Sequence, residues 1–140
     1  MSTAMIPALI FTVVLLATTA YFIMGSIPLL VLKHDTPLDA RFVRGFFNTY
    51  YATAGFMAGA TAISYAFAGR PAPATGAAAL ALLAVILRHK VIPKMDALGA
   101  QIQSNELGAI PGFRRTHLTA IAINVVQLVA IVWSLTTLRL

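Results

Sequence analysis

The residues of this sequence that could do chemistry are three histidines and a few carboxamides, most of them set in apolar segments. His89 and His117 fall near the same end of two predicted neighbouring helices, and imidazoles facing each other in a helical bundle can ligate a b-type haem. The alternative is that each imidazole hydrogen-bonds a neighbouring group or a lipid headgroup. His34 lies in a predicted loop, and we assign it no role.

A polar stripe on the last apolar segment is the second candidate site. Asn124 follows His117 by seven residues, about 20° from alignment on a helix, and Gln127 lies on the adjoining side. Such groups need partners on other helices, so they either set the packing register or line a polar pocket open to the cytoplasm. Asn48 and Tyr51 would complete a pocket suited to a quinone, a lipid headgroup or a small polar solute. The candidate ligand-binding residues are therefore His117, Asn124, His89 and Asn48.

Several catalytic and transport patterns are missing from the sequence. The carboxylates fall in predicted loops or at helix ends, so no buried acid offers a proton relay or cation site, which weighs against an ion-coupled transporter. These carboxylates are Asp35, Asp39, Asp96 and Glu106. The sequence contains no P-loop, no HExxH and no Ser-His-Asp arrangement. Because it contains no cysteine, thiolate metal sites and disulfides are excluded.

The composition is that of an integral membrane protein. The chain has 140 residues, of which 59% are hydrophobic and 10% are charged, whereas soluble domains carry ~25% charged residues. Its mean hydropathy is +0.85. The net charge of +6 is concentrated at predicted helix ends, where it fits anionic lipid headgroups. We expect as partners membrane lipids and either other membrane subunits or further copies of this chain, and no nucleic acid.

The apolar segments predict one all-α domain over residues 1–140, a four-helix transmembrane bundle running up-down-up-down. A span of ~20 apolar residues crosses ~30 Å of hydrocarbon. No charge precedes Lys33, so the first segment lacks the basic region of a signal peptide and is expected to stay. The predicted helices cover about 6–32, 42–68, 75–98 and 113–138.

The third segment departs from this pattern. Residues 76–87 are too few to span, and Arg88-His89-Lys90 follows them. Either these cations extend to the interface while the helix continues to about Leu98, or part of the helix is shielded inside the bundle. The first account costs less free energy.

Helix two carries a GxxxG pattern at Gly55 and Gly59, which allows another helix to approach closely. We expect this face to pack against a helix of the same chain, and homodimerisation is the alternative.

The cations predict the orientation, because positively charged loops stay in the cytoplasm. Eight of the ten fall on the side of the first and third loops: Lys33, Arg41, Arg44, Arg88, Lys90, Lys94, Arg114 and Arg115. Arg70 and Arg139 fall on the other side. Both termini should therefore lie outside, in what we expect to be a bacterial inner membrane.

The second half of the chain resembles a known family. A helix ending in Val-Ile-Pro93-Lys, followed by a polar loop and then by Phe113-x-x-x-His117 and Asn124, resembles an uncharacterised family of small four-helix membrane proteins. That family has a eukaryotic relative linked to cisplatin resistance. The resemblance covers roughly residues 85–135, with Thr119 in the place of a small hydroxyl residue. It implies the four-helix layout and points to His117 and Asn124, but to no established reaction.

The layout is also similar to that of anthrone-oxygenase-like membrane proteins. This chain lacks the tryptophan and the second arginine that they carry around the histidine, so that activity is not implied.

Two functions follow as hypotheses. The first is a non-enzymatic accessory or interaction subunit of a membrane assembly, since no catalytic set is present and little of the chain lies outside the membrane. The second is a small redox or ligand-binding bundle that holds a haem, a quinone or an aromatic substrate with His117 and Asn124. A solute permease is a third and weaker reading. No cofactor is required by the sequence.

Overall fold

Four long α-helices make up most of the chain, as predicted. The computed structural model describes residues 3–137, and its helices are α1 Met5–Leu29, α2 Pro37–Phe67, α3 Pro71–Gln103 and α4 Ala109–Thr137. Short connections of a few residues separate them. The protein is therefore an all-α helical bundle.

The helix ends differ from the predicted bounds by one to five residues, and most of the differences extend a helix into a polar segment. α2 begins at Pro37, since the Thr36 hydroxyl accepts a hydrogen bond from the Asp39 backbone N–H at 3.2 Å and proline suits the first helical position. α3 likewise begins with Pro71. α1 ends earlier than expected, at Leu29, one residue after Pro28. The predicted end of the fourth helix at Leu138 lies outside the described residues.

α3 is one continuous helix through the charged segment. It passes Arg88, His89 and Lys90, all exposed, and then Pro93, and it ends at Gln103. Of the two accounts of this segment, the structure agrees with the one in which the helix continues and the cations point outward. The helix also takes in residues 99–103, beyond its predicted end at about Leu98.

Each helix packs on its neighbours in sequence, and α1 and α4 also pack together. α2 and α4 consequently lie across the bundle from each other, and large side chains meet between them. The most completely buried of these are Phe47 and Tyr50 on α2 and Phe113 and His117 on α4. Aromatic rings therefore fill the space between α2 and α4 in which His117 lies.

Three of the helices are long and apolar enough to cross a membrane, judged by length and composition alone: α1, α3 and α4. α2 falls short because it carries charge near its start and because hydroxyl and glycine residues, such as Thr53 and Gly59, recur through the rest of it. The outer surface keeps many large apolar side chains exposed, including Met24, Phe67 and Trp133. Such a surface is suited to lipid.

The GxxxG face of α2 is only partly used within the chain. A Cβ at Gly55 would lie 3.6 Å from the Ala84 Cβ of α3, so this glycine does face a neighbouring helix. A Cβ at Gly59 would meet nothing within 4 Å. The expectation of intramolecular packing is thus wrong at Gly59. Another helix of the chain comes close at the level of Gly55 but not one turn further along α2, at Gly59.

Candidate functional site

The buried centre of the bundle contains a pair of histidines. The His34 Nε2 and His117 Nδ1 atoms lie 3.2 Å apart, and both side chains are fully enclosed, with 0% exposure. His34 belongs to the connection between α1 and α2, whereas His117 lies in the third turn of α4. The hydrogen bond therefore fastens that connection to a helix more than eighty residues away.

Backbone geometry and aromatic packing hold His34 in this position. Its φ of 58° is in the left-handed region, which turns the chain back toward the bundle and which histidine tolerates better than most residues. The His34 ring packs on Phe113, with 5.5 Å between centroids, and the His117 ring meets the edge of Phe47 at 5.3 Å. The pair is sealed by apolar rings.

The pair leaves one donor and one acceptor unused. Each neutral imidazole has one N–H and one lone pair, so a single N–H···N bond uses one of each. The outward atoms, His34 Nδ1 and His117 Nε2, have no hydrogen-bond partner among the described residues. One nitrogen of each ring is therefore left without a partner inside the described bundle.

Burial lowers the pKa of His34 below its ordinary value of 6.5, and the positive charge of Arg114 lowers it further. Asp39 and Asp35 act in the opposite direction but with smaller effect. The environment thus favours the neutral imidazole at His34.

A haem does not fit between these two rings. Bis-histidine ligation requires the iron and the porphyrin plane between the ligating nitrogens, and a separation of 3.2 Å holds no atom between them. No cluster of three or more potential metal ligands occurs within residues 3–137.

Two of the four predicted site residues lie away from this centre. His89 is exposed on α3, and its Nδ1 lies 2.8 Å from the Val85 carbonyl oxygen of its own helix. Asn48 faces α3, where its side-chain oxygen accepts a hydrogen bond from Arg88 Nε at 3.0 Å. The structure does not bring either residue to His117.

Asn124 and Gln127 do lie on the buried face of α4 with His117. The Tyr50 hydroxyl of α2 donates to the Gln127 side-chain oxygen at 3.1 Å. The Asn124 Oδ1 and the Tyr51 hydroxyl of α2 are buried without a partner among the described residues. A polar column therefore runs from the histidine pair into the bundle, and only part of it is hydrogen-bonded.

Two contacts were not foreseen from the sequence. One is the role of His34, for which a lone histidine beside Lys33 and Asp35 carries no distinctive signal. The other is a paired hydrogen bond from Arg44 on α2 to Asp96 on α3, at 2.7 and 3.0 Å. The opposite charges of Arg44 and Asp96 can be read from the sequence, but their pairing depends on the relative register of α2 and α3.

Comparison with known proteins adds no assignment. No protein-family model matches the chain, and no curated protein or solved structure matches it either. The resemblance of residues 85–135 to a small four-helix membrane family therefore stays a hypothesis.

Proposed function

We propose that this protein is a non-catalytic accessory subunit of a membrane assembly. The observation that carries the proposal is that most of the polar side chains able to do chemistry bind one another across the bundle. His117 bonds His34, Gln127 bonds Tyr50, and each bond joins distant parts of the chain. Such groups fix the packing of the bundle and leave no exposed set of reactive groups around His117.

The proposed setting is a bacterial inner membrane, with α2 spanning it beside the three more apolar helices in an up-down-up-down order. The distribution of cations supports both termini lying outside, with the basic loops on anionic headgroups at the cytoplasmic face. The polar groups of α2 agree with a span, because Tyr50 and Tyr51 are buried against other helices.

Purification from its native membrane in a mild detergent tests the accessory role. We expect the protein to elute well above the mass of a 14.9 kDa monomer in detergent, together with other membrane proteins. Photo-crosslinking from its lipid-facing surface should capture the same proteins. A monomer that crosslinks only to lipid would contradict the proposal.

A second candidate, a small ligand-binding bundle, is favoured by the unpartnered polar atoms of the column. Tyr51, Asn124 and the outer histidine nitrogens would all gain hydrogen bonds from a quinone-like or aromatic ligand with carbonyl groups. Entry would require the His34–His117 bond to open. If the wild-type protein yields one quinone per chain on extraction and the Asn124→Leu variant yields none, the protein is a ligand-binding bundle and not an accessory subunit.

A further inference from the structure

A separate cavity opens at the end of the bundle that holds the α2–α3 connection. Its volume is about 570 Å³, within the ~300–1,000 Å³ usual for small-molecule sites. All four helices contribute to its wall, from Leu15 on α1 and Tyr65 on α2 to Leu80 on α3 and Ile131 on α4. The histidine pair does not line it.

Most of the lining is apolar, and its hydroxyls are occupied. Thr61 donates to the Met57 carbonyl at 2.8 Å, and Ser134 donates to the Ile131 carbonyl at 2.8 Å. Thr12 lies 2.7 Å from the Ala8 carbonyl and 3.2 Å from the Tyr65 hydroxyl. The interior is therefore suited to an alkyl chain rather than to a polar solute.

Arg70 is the one charged residue that residues 3–137 contribute to the lining. The one ion pair found within residues 3–137 is that of Arg44 and Asp96, so Arg70 has no side-chain carboxylate in contact there. The four acidic residues lie in the first and third connections, at the start of α2 and in the far part of α3: Asp35, Glu106, Asp39 and Asp96. Among residues 3–137 no side-chain carboxylate pairs with Arg70, so its charge is available to an anionic ligand.

We propose that this cavity binds a long-chain fatty acid, with its alkyl chain between the four helices and its carboxylate on Arg70. A guanidinium matches one carboxylate through two parallel N–H···O bonds. The space suits one chain, whereas a phospholipid would have to leave its second chain in the bilayer. This site is independent of the accessory role proposed above.

Trp133 allows a direct test, because it is the only tryptophan of the chain and it lines the cavity. Dibromostearate quenches tryptophan fluorescence on close approach, and it can be titrated into the protein in phosphatidylcholine nanodiscs. We expect quenching that saturates at one fatty acid per protein. Arg70→Gln should raise the half-saturating concentration at least tenfold, and dibromostearate methyl ester should not saturate.

Two glycine variants test whether the quenching arises in the cavity or elsewhere on the lipid-facing surface. Gly76 lines the cavity and a Cβ there meets nothing within 4 Å, so Gly76→Leu should fold, fill the space and abolish saturable quenching. Gly59 is equally open but does not line the cavity, so Gly59→Leu should quench as the wild type does. Circular dichroism would verify the fold of each variant.

The proposal is overturned if quenching rises linearly and equally in the wild type and in Arg70→Gln, since that is simple partitioning into the bilayer. It is also overturned if brominated phosphatidylglycerol saturates as dibromostearate does, because the site would then recognise a phospholipid.

Discussion

At the scale of single residues, the His34–His117 hydrogen bond joins two uncharged rings and links a short connection to a distant helix. Both imidazoles are enclosed, and burial together with Arg114 lowers the pKa of His34. A neutral N–H···N bond contributes only ~0.5–1.5 kcal/mol to stability. Adding a proton to this enclosed pair would place a positive charge near Arg114 and among apolar rings.

Acidification should therefore destabilise the protein. In the unfolded chain His34 has its ordinary pKa near 6.5, so it binds a proton as the pH falls through that value, whereas the folded protein binds it only at lower pH. The contribution of His34 to the free energy of unfolding is complete above pH 6.5. It declines below pH 6.5 by up to ~1.4 kcal/mol per pH unit, until the lowered pKa is reached. Thermal unfolding in detergent between pH 7.5 and 5 measures this decline.

The matched variants for this prediction are His34→Asn and His89→Asn. Asparagine also tolerates a positive φ, so His34→Asn should fold and show a shallower loss of stability with acid. His89 is exposed, so His89→Asn should keep the wild-type pH dependence. Identical pH profiles for wild type and His34→Asn would assign the acid sensitivity to other groups.

Asn124 and Gln127 should respond differently to the same substitution. The Asn124 Oδ1 is buried with no partner among the described residues, so Asn124→Leu removes an unsatisfied group and should cost less than ~0.5 kcal/mol or stabilise the fold. Gln127→Leu leaves the buried Tyr50 hydroxyl without its acceptor and should cost ~1–3 kcal/mol. Denaturant unfolding in mixed micelles compares the two. A larger loss at Asn124 would mean that its amide has a partner after all.

The sequence predicted the buried polar face of α4 but not its contacts. A helical period places His117, Asn124 and Gln127 together, and the helical period is a local property. Which residue each one meets depends on how α2 and the α1–α2 connection pack, and that is decided by side chains far away in the sequence. The pairing with His34 instead of His89 could not be predicted for this reason.

At the scale of the helices, α2 combines the lowest apolar character with extensive burial. Its hydroxyl and amide groups place it below the apolar content of a typical span, yet nine of its residues are buried, including Phe47, Tyr50 and Tyr51. Hydropathy predicted α1 and α4 to within a few residues, but it took the apolar part of α3 to be too short for a span. It describes α2 less well because hydropathy does not distinguish lipid contact from contact with other helices.

The α2–α3 contact gives a prediction about packing. Gly55→Leu should push α3 away, because its side chain would start 3.6 Å from the Ala84 Cβ, and overpacking of this kind typically costs ~1–3 kcal/mol. Gly59→Leu is the matched control, since it enters open space and should leave the melting temperature in detergent nearly unchanged. If Gly59→Leu destabilises the protein as much as Gly55→Leu, a contact outside this chain must cover Gly59.

At the scale of the whole molecule, the asymmetry of charge is the feature that the sequence predicts most directly. Counting cations needs only the order of loops and helices, and these were correct apart from shifts of several residues at the helix ends. The buried contacts needed three-dimensional detail that hydropathy does not contain. The orientation of the bundle in the membrane rests on the charges alone and stays a prediction.

The absence of cysteine makes that orientation testable with single substitutions. Ser104, in the α3–α4 connection, and Ala72, in the first turn of α3, are both exposed and lie near opposite ends of that long helix. Since positively charged loops stay in the cytoplasm, an impermeant maleimide added to intact cells should label Ala72→Cys and not Ser104→Cys. In inside-out vesicles the pattern should reverse. Labelling of Ser104→Cys from outside would invert the orientation, and labelling of both variants from one side would mean that α3 does not span the membrane.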